Sequence, residues 1–174
     1  MCDSKMKVIE TERLLLRLFT EDDAQFVFEL VNEPGWIQNI GDRGVRTPDD
    51  ARRFIADRLT ANYERFGFGL YLVELKETGA PAGMCGLVKR DSLEDVDIGF
   101  AFLERFWSKG YAAESAAAVL DYARDALGLK RIAAIVSPGN QGSIKLLEKL
   151  GFGFERMIKM PGEDKEIKFF ARDL

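Results

Sequence analysis

Histidine is absent from this chain of 174 residues. Its absence excludes Ser-His-Asp and Cys-His catalysis and the helical HExxH zinc site, because each of these needs an imidazole. Any proton transfer must therefore use carboxylates, hydroxyls, amines or water. Cysteine is scarce as well: Cys2 and Cys85 are far apart and form no CxxC pair. The sequence thus predicts no disulfide framework and no metal site, and Cys85, in an apolar stretch, is expected to be a small buried hydrophobe.

Long apolar runs and an excess of basic residues are also missing. No apolar run approaches the roughly 18 residues of a membrane span, and the opening residues lack the apolar core of a secretory signal. We therefore expect a cytoplasmic protein with no membrane partner. The formal net charge is −4, whereas proteins that bind nucleic acid usually carry excess Lys and Arg to neutralise phosphates. Nucleic acid is accordingly not a predicted partner.

What is present is the composition and patterning of an ordinary globular protein. Hydrophobic residues make up 47% of the chain and charged residues 31%. This length suits one domain with a well-buried core and is short for two, so we expect residues 1–174 to form a single domain.

Apolar periodicity divides the chain into elements in the order β-α-α-β-β-β-α-β-α-β-β. Predicted strands cover residues 8–19, 69–75, 82–89, 96–103, 131–136, 154–160 and 166–171. The first helix begins after Thr20 and ends before Pro34, residues 35–44 are predicted as a loop, and a second helix runs from Thr47 toward residue 66. Two more helices cover residues 112–127 and 141–150. This order predicts an α/β (α+β) fold, with a mixed sheet covered by helices.

The most informative segment runs from the strand at residues 96–103 through a small loop into the helix at 112–127. Gly110 and the alanines after it leave the first helical turn free of bulk, so its unpaired N–H groups and the helix dipole form an anion site. Lys109 adds a positive charge. The segment is neither a Walker A loop nor a complete GxGxxG fingerprint. It indicates a diphosphate site built mainly from backbone, or, in the alternative, a tightly packed helix entrance.

A second motif follows after the next strand, and together the two resemble the GNAT acetyltransferases. The resemblance is to the branch that includes the ribosomal-protein N-terminal acetyltransferases. The matching stretches are Thr11-Glu12-Arg13-Leu14-Leu15-Leu16-Arg17, Gly99-Phe100, Trp107-Ser108-Lys109-Gly110-Tyr111-Ala112-Ala113-Glu114, Asn140-Gln141-Gly142-Ser143 and Lys149-Leu150-Gly151-Phe152. They occur in order and span nearly the whole chain.

The resemblance implies a mostly antiparallel central sheet that splays apart between its fourth and fifth strands, with helices on both faces. It also implies an N-acetyltransferase that uses acetyl-CoA as cosubstrate and needs no metal. Acetyl-CoA would lie in the gap, and the residues expected to contact it are Phe102, Leu103, Ser108, Lys109, Gly110, Tyr111, Ala112, Ala113, Asn140 and Ser143.

The catalytic groups are less well defined by the resemblance. Many relatives carry a tyrosine on the last helix as proton donor to the thiol, and the matching position here is Leu147. Ser143 is a substitute donor or, equally, a plain contact to CoA; Tyr111 is expected to pack beside the phosphates instead. Asp97, on the fourth strand, is the candidate base, but it could equally belong to a solvated turn with its acidic neighbours, in which case water is the base.

Acceptor contacts are expected from the loop after the first helix, at Trp36, Asn39, Asp42 and Arg43. Trp36 would be exposed there or would plug the core beneath the loop. Arg43 would suit an acceptor carboxylate and Asp42 an ammonium, although pairing of the two with each other is the favoured interpretation.

The acceptor itself stays open at this level. It is a primary amine on a protein N-terminus, a polyamine, an amino-acid conjugate or another small molecule, and a homodimer is one assembly compatible with the family. An alternative is a GNAT-fold module that binds acyl-CoA as a sensor without transferring the acyl group.

Overall fold

The computed structural model describes residues 6–174, so Cys2 lies outside the described residues. Its strands form one eight-stranded sheet in the order β1-β2-β3-β4-β5-β6-β8-β7. The strands are β1 (Lys7–Glu10), β2 (Leu14–Arg17), β3 (Leu70–Leu75), β4 (Pro81–Val88), β5 (Asp97–Phe102), β6 (Arg131–Val136), β7 (Gly153–Lys159) and β8 (Glu166–Asp173). All neighbours are antiparallel except β5 and β6, which are parallel. The predicted mixed, mostly antiparallel sheet is confirmed.

The prediction of one strand over residues 8–19 is wrong, because this segment folds back on itself as β1 and β2. Thr11 closes the turn: its backbone N–H donates to the carbonyl of Leu14, and its hydroxyl accepts from the Leu14 N–H. The alternation of apolar residues is the same on either side of this turn, so periodicity gave no sign of the reversal.

Helices cover both faces of the sheet. They are α1 (Ala24–Val31), α2 (Pro34–Asn39), α3 (Pro48–Phe54), α4 (Ala61–Phe66), α5 (Tyr111–Asp125) and α6 (Gln141–Lys149). One buried cluster joins α5 and α6 to the sheet, and a second joins α1, α2 and α3 to it. Neighbouring strand residues divide between these clusters, as Tyr71 and Leu72 do, because successive side chains point to opposite faces.

Two helix starts follow the sequence signals. The Asp23 carboxylate accepts a 2.8 Å hydrogen bond from the N–H of Thr20, ahead of α1. Thr47 caps α3, with Pro48 in the first helical position. The predicted second helix reaches Phe66, but Ile55–Thr60 within it is π-helical and separates α3 from α4.

The predicted loop at residues 35–44 is wrong in its first half, where Pro34–Asn39 forms the short helix α2. Pro34 occupies the first helical position, a place that suits proline because it has no N–H to bond there. Trp36 is only 8% exposed and packs in the core with α1 and α3. The tryptophan therefore plugs the core under this segment instead of standing exposed in a loop.

A 3-10 turn at Glu21–Asp23 precedes α1, so the α-helix itself begins three residues later than predicted, and the remaining element bounds agree with the predicted ones within two residues. In the part of the chain that the structure describes, no helix is long and apolar enough to cross a membrane. Cys85 is fully buried, as expected, and burial raises the pKa of its thiol to about 12.

Candidate cofactor and acceptor site

The centre of the sheet opens between β5 and β6. Six residue pairs join β4 to β5, but a single pair, Asp97 with Ala133, joins β5 to β6. From that pair the two strands diverge toward their carboxyl ends. This is the splay between the fourth and fifth predicted strands that the family resemblance implied.

Backbone groups of β5 face the gap at alternate residues. The N–H of Leu103 donates to the carbonyl of Ala82 at 2.9 Å, so Leu103 is bonded on the β4 side. Since hydrogen-bonding direction alternates along an antiparallel strand, the N–H of Phe102 and that of Phe100 point the other way, into the gap. The Phe102 carbonyl accepts a 2.8 Å bond from the indole of Trp107. Of the two residues expected to pair with the cofactor, Phe102 thus offers its N–H to the gap, whereas the Leu103 N–H is already bonded.

The loop before α5 turns sharply at two residues with left-handed backbone. Gly110 has φ of 82°, and Ser108 has φ of 62°, the one positive value for a non-glycine residue in the range 6–174. Such turns aim successive N–H groups into a common concavity that binds anions. Residues 107–110 are exposed, and the N–H groups of Tyr111, Ala112 and Ala113, in the first turn of α5, have no acceptor within the helix. This exposed cradle fits a diphosphate.

The cradle is held from behind by the turn between β1 and β2. Glu114 Oε1 accepts from the Thr11 hydroxyl at 2.7 Å and from the Arg13 N–H at 2.9 Å, and Glu114 Oε2 accepts from Arg13 Nε at 2.6 Å. Arg13 Nη1 also donates to the Lys109 carbonyl at 3.0 Å, and the guanidinium lies 4.6 Å from the ring centroid of Tyr111. We call Thr11, Arg13 and Glu114 the hairpin clamp.

The clamp gives Glu114 a role beyond complementing the helix dipole. Burial acts to raise the pKa of Glu114, but the hydrogen bonds from Thr11 and Arg13 outweigh it and leave the pKa below its usual value. The Glu114 carboxylate is therefore charged at neutral pH, and the hydrogen bonds from Thr11 and Arg13 fix its position. A Cβ at Gly110 would lie 3.2 Å from an Arg13 nitrogen, so a side chain there would strain the backbone and crowd the clamp.

The start of α6 follows the carboxyl end of β6 and carries Asn140 and Ser143. The Asn140 Oδ1 accepts from the Ser143 N–H at 3.3 Å and caps the helix, which leaves the Asn140 amide nitrogen as a donor toward a ligand. Ser143 is partly buried, and its hydroxyl can donate or accept. Leu147 is 2% exposed within the core, so the position of the usual tyrosine is an apolar packing site.

Asp97 is not part of a solvated turn. It is the first residue of β5 and only 1% exposed, at the closed end of the gap. Its Oδ1 accepts from Arg90 Nε at 3.0 Å. Burial raises the pKa of the Asp97 carboxyl to about 6, against the opposing effect of Arg90. Asp97 lies on the strand face opposite Ile98, which packs with α5 and α6, and so faces the side that α1, α2 and α3 cover.

Helix α2 covers the open end of the gap on that side. Its N-terminus is joined to the end of β5, since the Gly35 N–H donates to Glu104 Oε1 at 3.2 Å. Its C-terminus is joined to the end of β6, where the Ser137 hydroxyl donates to the Asn39 carbonyl at 2.9 Å. The loop after α2 therefore starts beside the gap.

The expected acceptor residues have different surroundings. Asn39 donates its side-chain amide to the Gly35 carbonyl at 3.0 Å. Asp42 forms an ion pair with Arg46, not with Arg43, so the favoured Asp42–Arg43 pairing is wrong. Arg46 lowers the pKa of Asp42 to about 2. Asp42 and Arg46 are both exposed and four residues apart, so this pair is a local contact within the loop after α2.

Sequence reasoning missed two groups of residues around the gap. The hairpin clamp was not predicted, although Thr11, Arg13 and Glu114 all lie in the stretches that match the family. Nothing in a single sequence indicates that residues about a hundred positions apart will be in contact. Arg90 was not predicted either, because its ion pair with Asp97 forms only when the loop between β4 and β5 folds back.

Comparison with known proteins assigns the family. A family model described as "Acetyltransferase (GNAT) domain" matches residues 13–153, so this chain belongs to the GNAT acetyltransferases. It is 32% identical over 151 residues to the uncharacterized N-acetyltransferase YnaD of Bacillus subtilis, covering 87% of this chain and 85% of that protein. These relationships make the chain an acyltransferase of the N-acetyltransferase class.

Solved structures agree on the fold. A GNAT-family acetyltransferase from Bacillus anthracis has a TM-score of 0.78 and 28% identity, with 95% of this chain and 97% of that chain covered. RimL, a ribosomal L7/L12 alpha-N-protein acetyltransferase solved with coenzyme A, has a TM-score of 0.77 over 94% of this chain and 96% of that one. At 18% identity, the second comparison concerns the fold alone.

Proposed function

We propose that this protein transfers the acetyl group of acetyl-CoA directly to a primary amine. The observation that carries the proposal is the exposed cradle at Ser108–Gly110, backed by the hairpin clamp and continuous with a gap into which the Phe102 N–H points. The cradle fits a diphosphate and the gap fits an extended pantetheine arm that pairs with β5. The coenzyme A bound to RimL, which has the same fold, supports this choice of cosubstrate.

Each residue of the site has a defined task in this reaction. Acetyl-CoA supplies the activated acyl carbon as a thioester. The Phe102 N–H, aimed into the gap, stabilises the negative charge that develops on the carbonyl oxygen. The attacking nitrogen forms a bond to carbon as the carbon–sulfur bond breaks, so one proton must leave the amine and one must reach the thiolate.

Asp97 is our proposed proton acceptor. Phe102 is five residues further along β5, about 16 Å at the rise of an extended strand, so the proton must reach Asp97 through water. A carboxyl with a pKa of about 6 is largely deprotonated at neutral pH and close enough to neutrality to accept a proton well. Ser143, at the start of α6, is our proposed donor to the thiolate.

The test is thermal unfolding with and without acetyl-CoA, on the parent and two variants. At about 100 times the Kd, acetyl-CoA should add about 2.7 kcal/mol, or roughly 5–10 °C for a domain of this size. Gly110→Glu should lose the shift because it places bulk and negative charge in the cradle. Gly128→Glu is the matched control, since Gly128 also has a positive φ, 68°, but lies in open space after α5.

The second arm measures thiol release with a panel of primary amines. Release that depends on the amine, and is lost in Gly110→Glu but kept in Gly128→Glu, is the expected result. A thermal shift without thiol release from any amine would instead favour the acyl-CoA sensor. No shift at millimolar acetyl-CoA would refute the proposed cosubstrate.

A further inference from the structure

A cleft of about 240 Å³ lies between the loop after α2 and the α3 and π-helical segment. Its charged lining residues are Arg43, Asp50, Arg53, Asp57 and Arg58. The loop that lines this cleft begins at the end of α2, where Asn39 accepts from Ser137 beside the gap.

Two arginines of the cleft are free of carboxylate partners. Asp50 is occupied, since it pairs with Arg53 and accepts N–H bonds from Arg46 and Thr47. Neither Arg43 nor Arg58 forms an ion pair with any residue in the range 6–174. The lining carries three arginines against two aspartates, so positive charge is in excess there, and a bound anion would relieve the repulsion between Arg43 and Arg58.

Arg43 also lies near charged residues outside the cleft. The pKa of Arg43 is lowered, mainly by burial and also by the positive charges of Arg90 and Arg58. Glu163, in the turn between β7 and β8, has the opposite effect on this pKa. Arg90 is the residue that donates to Asp97. Arg43 is exposed to solvent and has these charged residues around it, as expected for a side chain that lines a cleft.

The π-helical turn at Ile55–Thr60 sets the position of Arg58. Ile55 and Leu59 remain buried, and the wider turn presents Asp57 and Arg58 on the exposed side. The Thr60 hydroxyl donates to the carbonyls of Ile55 and Ala56 and so stabilises the irregular turn. Such π-helical insertions cost regular hydrogen bonding and are found frequently at functional sites.

We infer that the acceptor amine carries an anionic group, a carboxylate or a phosphate, and that Arg43 and Arg58 bind it. The guanidinium fork matches the paired oxygens of either group. This inference rests on the proposed acetyl transfer and specifies its acceptor. It disfavours polyamines, whose second ammonium would meet Arg43 and Arg58. Asp57 and Glu163, at the edges of the same region, suit the ammonium end of a zwitterionic acceptor.

The experiment measures the binding of four small amines to protein saturated with coenzyme A, by calorimetry or ligand-observed NMR. The probes are beta-alanine, aminoethyl phosphate, propylamine and diaminopropane, which are similar in length and differ in the group opposite the amine. Beta-alanine or aminoethyl phosphate should bind at least about tenfold more tightly than propylamine, as a charge-assisted pair predicts. The stronger of the two identifies the anion as carboxylate or phosphate. Diaminopropane should bind most weakly.

Variants assign the preference to the two arginines. Arg43→Ala and Arg58→Ala should each bring the anionic probes close to propylamine, and Arg43→Glu should invert the order in favour of diaminopropane. Arg52→Ala is the matched control. Arg52 is on α3, is exposed and is paired with Asp49, so its loss changes the net charge equally without entering the cleft.

Failure of this inference is distinct from failure of the proposed function. Equal binding of all four probes, or tightest binding of diaminopropane by the parent protein, would overturn the anionic acceptor even if acetyl transfer were observed. An anion preference that Arg52→Ala weakens as much as Arg43→Ala would also overturn it, because the effect would then come from net charge. Absence of thiol release would count against acetyl transfer alone, since the binding order does not depend on turnover.

Discussion

The two sides of the gap differ in what builds them. On the cofactor side, backbone groups form the cradle and the hairpin clamp holds them through four hydrogen bonds. On the proposed acceptor side, side chains from the loop after α2 and the π-helical turn line a cleft, and Arg90, from the loop between β4 and β5, donates to Asp97.

This difference corresponds to the tasks that we propose for the two sides. A diphosphate is the same in every turnover, and backbone N–H groups recognise it whatever side chains surround them. An acceptor is distinguished by its own charges and shape, which only side chains can match. Substitutions on the cofactor side should therefore change cosubstrate affinity, and those on the acceptor side should change catalysis or selectivity.

The largest effect should come from Asp97→Asn on the acceptor side. If Asp97 is the proton acceptor, the change should lower kcat by about 10²-fold or more with little change in the acetyl-CoA thermal shift. The parent kcat/KM should fall as the pH drops through about 6, because protonated Asp97 accepts no proton. In Asp97→Asn this acidic limb should disappear. A limb near pH 6 that persists in the variant would assign the titration to another group, and full activity would make water the base.

An intermediate effect should come from Glu114→Gln on the cofactor side. The amide keeps the size of Glu114 but loses the charge that holds Arg13 and Thr11, so the acetyl-CoA Kd should rise by about tenfold. The affinity for pantetheine, which has no diphosphate, should not change. Glu12→Gln, at a neighbouring position outside the clamp, is the control. An equal loss for pantetheine would show that the change disturbs the whole gap rather than the cradle.

The smallest effect should come from Ser143→Ala, which separates its two proposed roles. Thiolate is a good leaving group, so loss of a donor that water can replace should lower kcat less than about tenfold. If Ser143 only contacts the cosubstrate, the acetyl-CoA KM should rise while kcat stays the same. Because the backbone N–H at position 143 still donates to Asn140 Oδ1, the helix cap should be preserved, as an unchanged thermal midpoint without ligand would verify.

The sequence by itself determined the parts of the molecule that depend on neighbouring residues. The cap at Thr47, the glycine turn at Gly110 and the long helix after it were all predicted correctly, because their signals lie within a few positions of the structure they specify. The two motifs in their order also gave the family and the splayed sheet.

Tertiary structure decided what depends on residues far apart in the chain. Thr11 and Arg13 meet Glu114 because the reversal between β1 and β2 brings them behind the cradle. Asp97 is buried in a strand that pairs with both β4 and β6, although its acidic neighbours in the sequence had suggested a solvated turn. Asp42 pairs with Arg46, and Arg43 forms no ion pair within the range 6–174. Periodicity records which face of an element is apolar, but burial, pairing and the resulting pKa values depend on which elements pack together, and that is set only when the chain folds.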